Sequence, residues 1–563
     1  MNKAINSTVK QQNAASSRAE FKLRYPLIWL TLSVIIVYAS TINFGFTELD
    51  DSIFIRDFQE YNQNITNLFT SFHRGVFDPI QDTYYRPLFL DSIILNYQIS
   101  GQQIAPYHVL NILFHLITVL LLFVLLQKIK LNRLHSFILA LFFAVHPVLS
   151  QAVAWIPGRN DTMLGIFVVA FLVFTINYFL RRKPGNLLLS FFFLLGAFFT
   201  KETAIFAPPV AFILLLYLNK KKWLSNENIF QYATWLLAFF IWYKVRSEAT
   251  IKESGLQSSI AFAELFNRLP VIIQYTGKIF LPFNLSVFPI LVDTVNYYGF
   301  ISIALASIAI YFSRKRDWGI ILAGISVFLL FLIPALLVPN TLNDQTFEHR
   351  LYLPIIGMLM VLSQTALFQN IRKEKHLLAG SIMVILLFAF LNYRHQQSFK
   401  DPVSFWAQAV KTSPHSAYAT MMLGARIDND RKDKTESGIL IRKAYSLNPK
   451  EKYVNFYYGQ MLQNEDSVLS SEKFFLEEKR ISDYYECDFY LARVAFEKKD
   501  LELATNLLEN YLSKDPSNEQ ANNNLLLLYL ETGKNEKAKD QGKRIQELGF
   551  PVTPEILQRL EKL

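Results

Sequence analysis

Long apolar runs dominate the chain from Pro26 to Leu391, among them Ile166 to Leu180, Trp318 to Val338 and Leu351 to Phe368, and short basic clusters separate them. From Asn392 onward such runs stop and charged residues recur every few positions. A helix needs about 20 apolar residues to cross a bilayer, so the first part predicts spans near 26–44, 107–127, 135–154, 162–180, 187–201, 203–219, 228–244, 297–313, 318–338, 351–369 and 376–392, about eleven in all. The second part predicts a soluble helical tail. The first apolar stretch lacks a small-residue cleavage site and reads as an uncleaved span.

The basic clusters orient this pattern. Lys128, Lys130 and Arg133; Arg181, Arg182 and Lys183; Lys220, Lys221 and Lys222; Arg314, Lys315 and Arg316; and Arg372, Lys373 and Lys375 abut apolar ends. Together with the basic N-terminus (Lys3, Lys10, Arg18, Lys22, Arg24), all fall on the cytoplasmic side if Leu269 to Pro289 makes no net crossing. Its prolines (Pro270, Pro282, Pro289) and Lys278 suit a re-entrant or interfacial segment. The expected domains are then a cytoplasmic N-terminus (1–25), a membrane domain (26–392) with an outer loop (45–106), and a tail (393–563) on the same outer side as that loop.

Composition changes this picture little. The 563 residues are 52% hydrophobic with a net charge of +10, yet the basic excess marks membrane ends and not a nucleic-acid face, so no nucleic-acid partner is expected. A single cysteine, Cys487, excludes an intramolecular disulfide. Prolines 414, 449, 516 and 551 recur in the tail at gaps of 35, 67 and 35 residues. These gaps are close to one, two and one periods of the roughly 34-residue TPR helix pair, with Gly459 and Gly533 suiting the turns inside pairs. The tail is thus expected to be a TPR-like α-solenoid able to hold a polypeptide.

Charged groups at membrane depth cost free energy and mark function. Glu48-Leu49-Asp50-Asp51 follows the first span, where two adjacent carboxylates can raise one another's pKa and suit a general base or a metal ligand, or simply form a solvated turn. His108, Asn111 and His115 share one face of the second span; such a stripe can bind a ligand or satisfy neighbouring helices. His146-Pro147, then Gly158-Arg159-Asn160-Asp161, Lys201-Glu202 and Glu348-His349-Arg350-Leu351-Tyr352 bring further charges to the outer side. Cations converging at a membrane surface suit the phosphate of a lipid-linked donor, with snorkelling anchors as the competing reading.

In combination and order, these pieces resemble the transmembrane and TPR-containing protein O-mannosyltransferases of the GT-C glycosyltransferase superfamily. The pieces are Asp50-Asp51; Tyr85-Arg86-Pro87-Leu88; Pro106-Tyr107-His108 through Asn111 to His115; His146-Pro147 through Asp161; Lys201-Glu202; Arg350-Leu351-Tyr352-Leu353-Pro354; and the repeat tail. The resemblance implies an all-α, GT-C-like membrane domain and inverting transfer of a sugar, mannose or another hexose, from a polyprenyl-phosphate donor to Ser or Thr hydroxyls of exported proteins. Asp50 or Asp51 would be the base, Asp50 preferred. Arg86, Arg159, Lys201 and Arg350 would meet phosphate or sugar, supported by His108, His146, Asp161, Glu202, Glu348 and Tyr352. Gln151 stands where relatives often carry an acidic residue, and Leu49 where an aromatic one is frequent. No metal ligand set is expected and no cofactor is obligatory, a divalent ion remaining open. The expected site is a bacterial inner membrane with a periplasmic tail, or the ER membrane in a eukaryote. Three other readings use the same features: a GT-C transferase acting on a glycan or lipid, a non-catalytic repeat scaffold, and a transporter, against which the one-sided charges and lack of membrane repeats argue.

Overall fold

The computed structural model describes residues 24–77, 84–219, 225–250, 265–337, 345–371 and 374–561. It divides into two compact units, Met1–Gln408 and Ala409–Leu563. Among the described residues both are helical, and the nearest thing to a strand is an isolated bridge between Ile290 and Gln345. The basic N-terminal residues up to Lys22, the Lys220–Lys222 cluster, Arg372 and Lys373 lie outside the described residues.

In the first unit the helices are α1 (Pro26–Tyr38), α2 (Pro87–Ser100), α3 (Ala105–Lys128), α4 (Arg133–Val145), α5 (Arg159–Arg181), α6 (Pro184–Thr200), α7 (Ala207–Leu218), α8 (Asn226–Ala249), α9 (Pro270–Phe280), α10 (Tyr297–Tyr311), α11 (Trp318–Leu336), α12 (Pro354–Leu362) and α13 (Glu374–Gln396). Seven of them, α1, α2, α3, α6, α7, α9 and α12, carry proline in the first turn, where its missing N–H has no intrahelical acceptor to lose. Side chains cap others: Asn132 accepts from His135 N at 2.8 Å, and Asp317 from Gly319 N at 2.8 Å.

Among the described residues five helical stretches, Pro26–Asn43, Ala105–Lys128, Ile156–Arg181, Trp318–Leu336 and Glu374–Phe399, are long and apolar enough to cross a membrane. A sixth is broken: α4 and Pro147–Ala154 meet at 48°, because Pro147 cannot continue the helix and the His146 ring caps Val148 N at 3.2 Å. Pro184–Thr200, Glu202–Leu218 and Tyr297–Tyr311 are shorter apolar helices. The unit is therefore a polytopic helical membrane domain. The stretch expected to be re-entrant forms the 11-residue α9, about half a span long.

Lipid offers no hydrophobic gain for bringing spans together, so close backbone approach matters. At the α11–α12 crossing, Gly324 and Gly357 face each other so tightly that a Cβ on either would collide with the other's carbonyl oxygen. The segment between α1 and α3 has its own small core, including Phe54, Ile55, Val76, Phe89, Leu90 and Ile93.

The second unit is a row of helices, each packed on the next: α14 (Ala417–Arg426), α15 (Lys434–Leu447), α16 (Val454–Asn464), α17 (Val468–Ser482), α18 (Cys487–Glu497), α19 (Leu501–Lys514), α20 (Glu519–Glu531) and α21 (Asn535–Glu547). Pro414 and Pro516 each stand two residues before a capping side chain: Ser416 accepts from Ala419 N (3.1 Å), Asn518 from Ala521 N (2.9 Å). Gly533, at φ +68°, makes the α20–α21 turn. Gly459 corrects an expectation. It lies inside α16, where the Phe475 ring leaves no room for a Cβ.

Candidate active site

The chain leaves α1 through a tight turn that gives its two adjacent aspartates different roles. Asp51 is buried and fully engaged: Oδ2 accepts from Thr47 N (2.7 Å) and Thr47 Oγ1 (3.0 Å), Oδ1 from Glu48 N (3.0 Å) and Ser52 N (3.1 Å). Glu48, at φ +56°, pairs with Arg56 at 2.8 Å. Burial pushes Asp51 up to about 6, against the pull of the Thr47 and Ser52 donors. Among the described residues no hydrogen bond reaches the Asp50 carboxylate. Burial, then the neighbouring Asp51, pushes it up to about 7, while Arg86 pulls the other way. A carboxylate with free lone pairs and a pKa near neutrality is suited to accept a proton.

Arg86 sits on the last residue before α2, stacked 4.8 Å over Tyr84. Its Nε and Nη2 both reach Glu202 Oε2 at 3.1 Å, and Tyr85 N donates to Glu202 Oε1 at 3.2 Å. One carboxylate from the α6–α7 turn thus holds both the backbone and the guanidinium immediately before α2. The adjacent Lys201 donates to Asp161 Oδ1 at 2.7 Å. Arg350 lies on the short 3-10 turn Glu348–Leu351, stacked 5.7 Å over Phe347, with Nη1 donating to Gln345 O at 2.9 Å. Among the described residues it has no carboxylate partner.

His349 is where these groups meet. Its ring packs between Trp155 (5.6 Å) and Phe347 (5.3 Å), and burial, followed by the positive charges of Lys201, Arg350 and Arg86, holds it well below its usual range. The charges of three cations therefore act on one ring; among the described residues Arg86 is paired with Glu202 and Lys201 with Asp161, and Asp50 is close enough to Arg86 to feel its charge. Sequence reasoning passed over His349; its place between Glu348 and Arg350 was the available signal.

Other expected site residues lie elsewhere. Arg159 is fully buried and gives its five N–H groups to neutral acceptors: Asn111 Oδ1 (2.8 Å), Asn96 Oδ1 (2.9 Å), Tyr107 O (2.9 Å), Ser92 O (3.1 Å) and Ser92 Oγ (3.5 Å). It ties α2 and α3 to the start of α5, and no donor is left to reach a phosphate. His146 Nε2 bonds Ile279 O at 2.8 Å, and His108 packs edge-on to Phe44. Tyr352 OH meets His115 Nδ1 at 2.8 Å, and Asn111 donates to the carbonyls of Val153, Trp155 and Ile156, so the polar stripe of α3 satisfies neighbouring segments. Glu348 is buried on Lys278. Among the described residues no group of three or more His, Cys, Asp or Glu is arranged to hold a metal ion.

A family model described as dolichyl-phosphate-mannose-protein mannosyltransferase matches residues 87–244, which include Asp161, Lys201 and Glu202. Protein O-mannosyl-transferase TMTC1 of Mus musculus is 32% identical over 174 residues, 29% of this chain and 18% of that protein. Protein O-mannosyl-transferase F38B6.6 of Caenorhabditis elegans is 22% identical over 371 residues, 60% of this chain and 50% of its own. The chain thus spans between about a fifth and half the length of these curated relatives. Among solved structures, MamA 41-end from Desulfovibrio magneticus RS-1 is 11% identical over 26% of this chain and 84% of its own, at a TM-score of 0.24 that carries no argument.

Proposed function

We propose that the chain, which is similar over part of its length to protein O-mannosyl-transferases, is an inverting glycosyltransferase moving mannose or another hexose from a polyprenyl-phosphate donor to Ser or Thr hydroxyls of exported proteins. It is a multi-pass membrane protein. The proposed setting is a bacterial inner membrane, with the reaction and the helical tail on the periplasmic side.

Asp50 takes the proton of the acceptor hydroxyl as its oxygen attacks the anomeric carbon. The bond from that carbon to the phosphate oxygen breaks on the opposite face, which inverts the centre and leaves a polyprenyl phosphate. Arg350, with no carboxylate partner among the described residues, meets that phosphate, and Lys201 and Arg86 strengthen the positive field around it. Glu202 and Asp161 fix the two paired cations in place. The tail would present the acceptor polypeptide.

The observation that carries this reading is the unengaged Asp50 carboxylate beside three converging cations. The test is transfer of labelled mannose from a polyprenyl-phosphate-mannose to acceptor polypeptide by the purified chain. Asp50→Asn should abolish transfer while membrane expression stays normal; undiminished transfer would remove Asp50 as the base.

A further inference from the structure

Behind Arg350 lies a buried polar cluster that the proposed chemistry does not use. Lys278 of α9 and Glu348 are 1% and 0% exposed, and Nζ donates to Glu348 Oε1 at 2.7 Å. Ser286 N donates to the same oxygen at 2.7 Å, and His395 of α13 lies 3.3 Å from Oε2. Gln151 holds the backbone of the same turn: its Oε1 accepts from Glu348 N (3.1 Å) and His349 N (3.2 Å), while its Nε2 donates to Val287 O (3.2 Å). Tyr275 OH adds a bond to Phe347 O at 2.9 Å. Segments as much as 198 residues apart thus converge on the two residues before Arg350.

A buried ion pair is a poor source of stability, because desolvating both charges offsets their attraction, and an apolar pair of similar size serves as well. What such a pair does provide is a fixed geometry, since neither charge can leave the other. Here the fixed element is the turn that carries His349 and Arg350. We propose that Lys278 and Gln151 are positioning residues for sugar transfer: by clamping Glu348 and the 348–349 backbone, they aim Arg350 at the donor phosphate. This rests on the reading of the site given above. It also accounts for an amide at position 151. A carboxylate there accepts the same two N–H groups but has no donor for Val287 O and faces the Glu348 charge.

The full-length chain in detergent serves for the test, with undecaprenyl phosphate as the binding probe. Lys278→Met leaves Glu348 charged and uncompensated, so Lys278→Met/Glu348→Gln is the decisive variant, and Gln151→Leu, which alters no charge, is the second. Each should stay monodisperse, bind undecaprenyl phosphate about tenfold or more weakly, and raise the donor KM while the acceptor KM stays unchanged; about 1.4 kcal/mol corresponds to that tenfold change. Wild-type affinity in both decisive variants, or an equal rise in donor and acceptor KM, overturns the proposal. If the unaltered chain binds no undecaprenyl phosphate and transfers no sugar, the functional reading falls and this one with it; binding by both wild type and variants removes only this one.

Discussion

Arg159 and Arg350 look alike in the sequence, each an arginine in an outward-facing cluster, yet their surroundings differ in kind. Around Arg159 the partners are two asparagine side chains, two backbone carbonyls and the Ser92 hydroxyl, five neutral acceptors for its five N–H groups. Arg350 meets the Gln345 carbonyl, the Phe347 ring and the Tyr275 hydroxyl, with the charges of two other cations acting on its neighbour His349. A buried cation with neutral partners supports structure. Cations gathered without enough carboxylates call for an anion from outside. The same division separates Asp51, with four donors, from Asp50, with none.

The largest expected effect comes from the second pair. Asp50→Asn should lower transfer by about 10²–10⁴-fold, the usual contribution of a positioned base, with the unfolding temperature unchanged. Asp51→Asn should instead cost about 1–3 kcal/mol of stability, since an amide cannot accept all four bonds; a larger loss of activity than of stability there would reverse the assignment. Next, Arg350→Ala should raise the donor KM about 10–100-fold with the fold intact, whereas Arg159→Met should lower thermal stability by about 3 kcal/mol or more by leaving buried acceptors unsatisfied. Donor titrations and thermal unfolding of both variants check the contrast. The smallest effect is expected at the exposed Arg56–Glu48 pair, where Arg56→Ala should change stability by under about 1 kcal/mol.

The pH profile separates the aspartates independently. With Asp50 poised at about 7, kcat/KM should fall about tenfold per pH unit below that value, because the protonated carboxyl cannot accept the hydroxyl proton. Asp50→Asn should remove this limb. For stability the sign is opposite: folding raises the Asp50 pKa from 3.8, so the native state binds that proton more tightly, and ionising the group costs stability as pH climbs from about 4 to about 7.

Helices were legible wherever apolar runs were long: α3, α5, α11 and α13 lie within a few residues of their expected spans. The breaks were less so. The run 135–154 bends at His146, and 351–369 ends its helix at Leu362 before Ala366–Gln369 resumes. The charged motifs were visible as clusters, and Arg86, Lys201 and Arg350 do gather. What local spacing cannot carry is partner choice: Arg86 finds Glu202 across 116 positions, and Lys278 finds Glu348 across 70. Gly459 was misread for a related reason, since a small residue packed against Phe475 and a turn glycine look the same until the neighbouring helix is in place.

The Gly324–Gly357 crossing reaches further than its size implies. The helix bearing Gly357 begins at Pro354, four residues after Arg350, so anything that pushes α12 off α11 also shifts the turn above it. In a random mutagenesis screen for chains that reach the membrane but transfer no sugar, alanine at either glycine should therefore be recovered beside the charged positions. Two positions without a polar side chain would then define the phenotype as sharply as the arginines do.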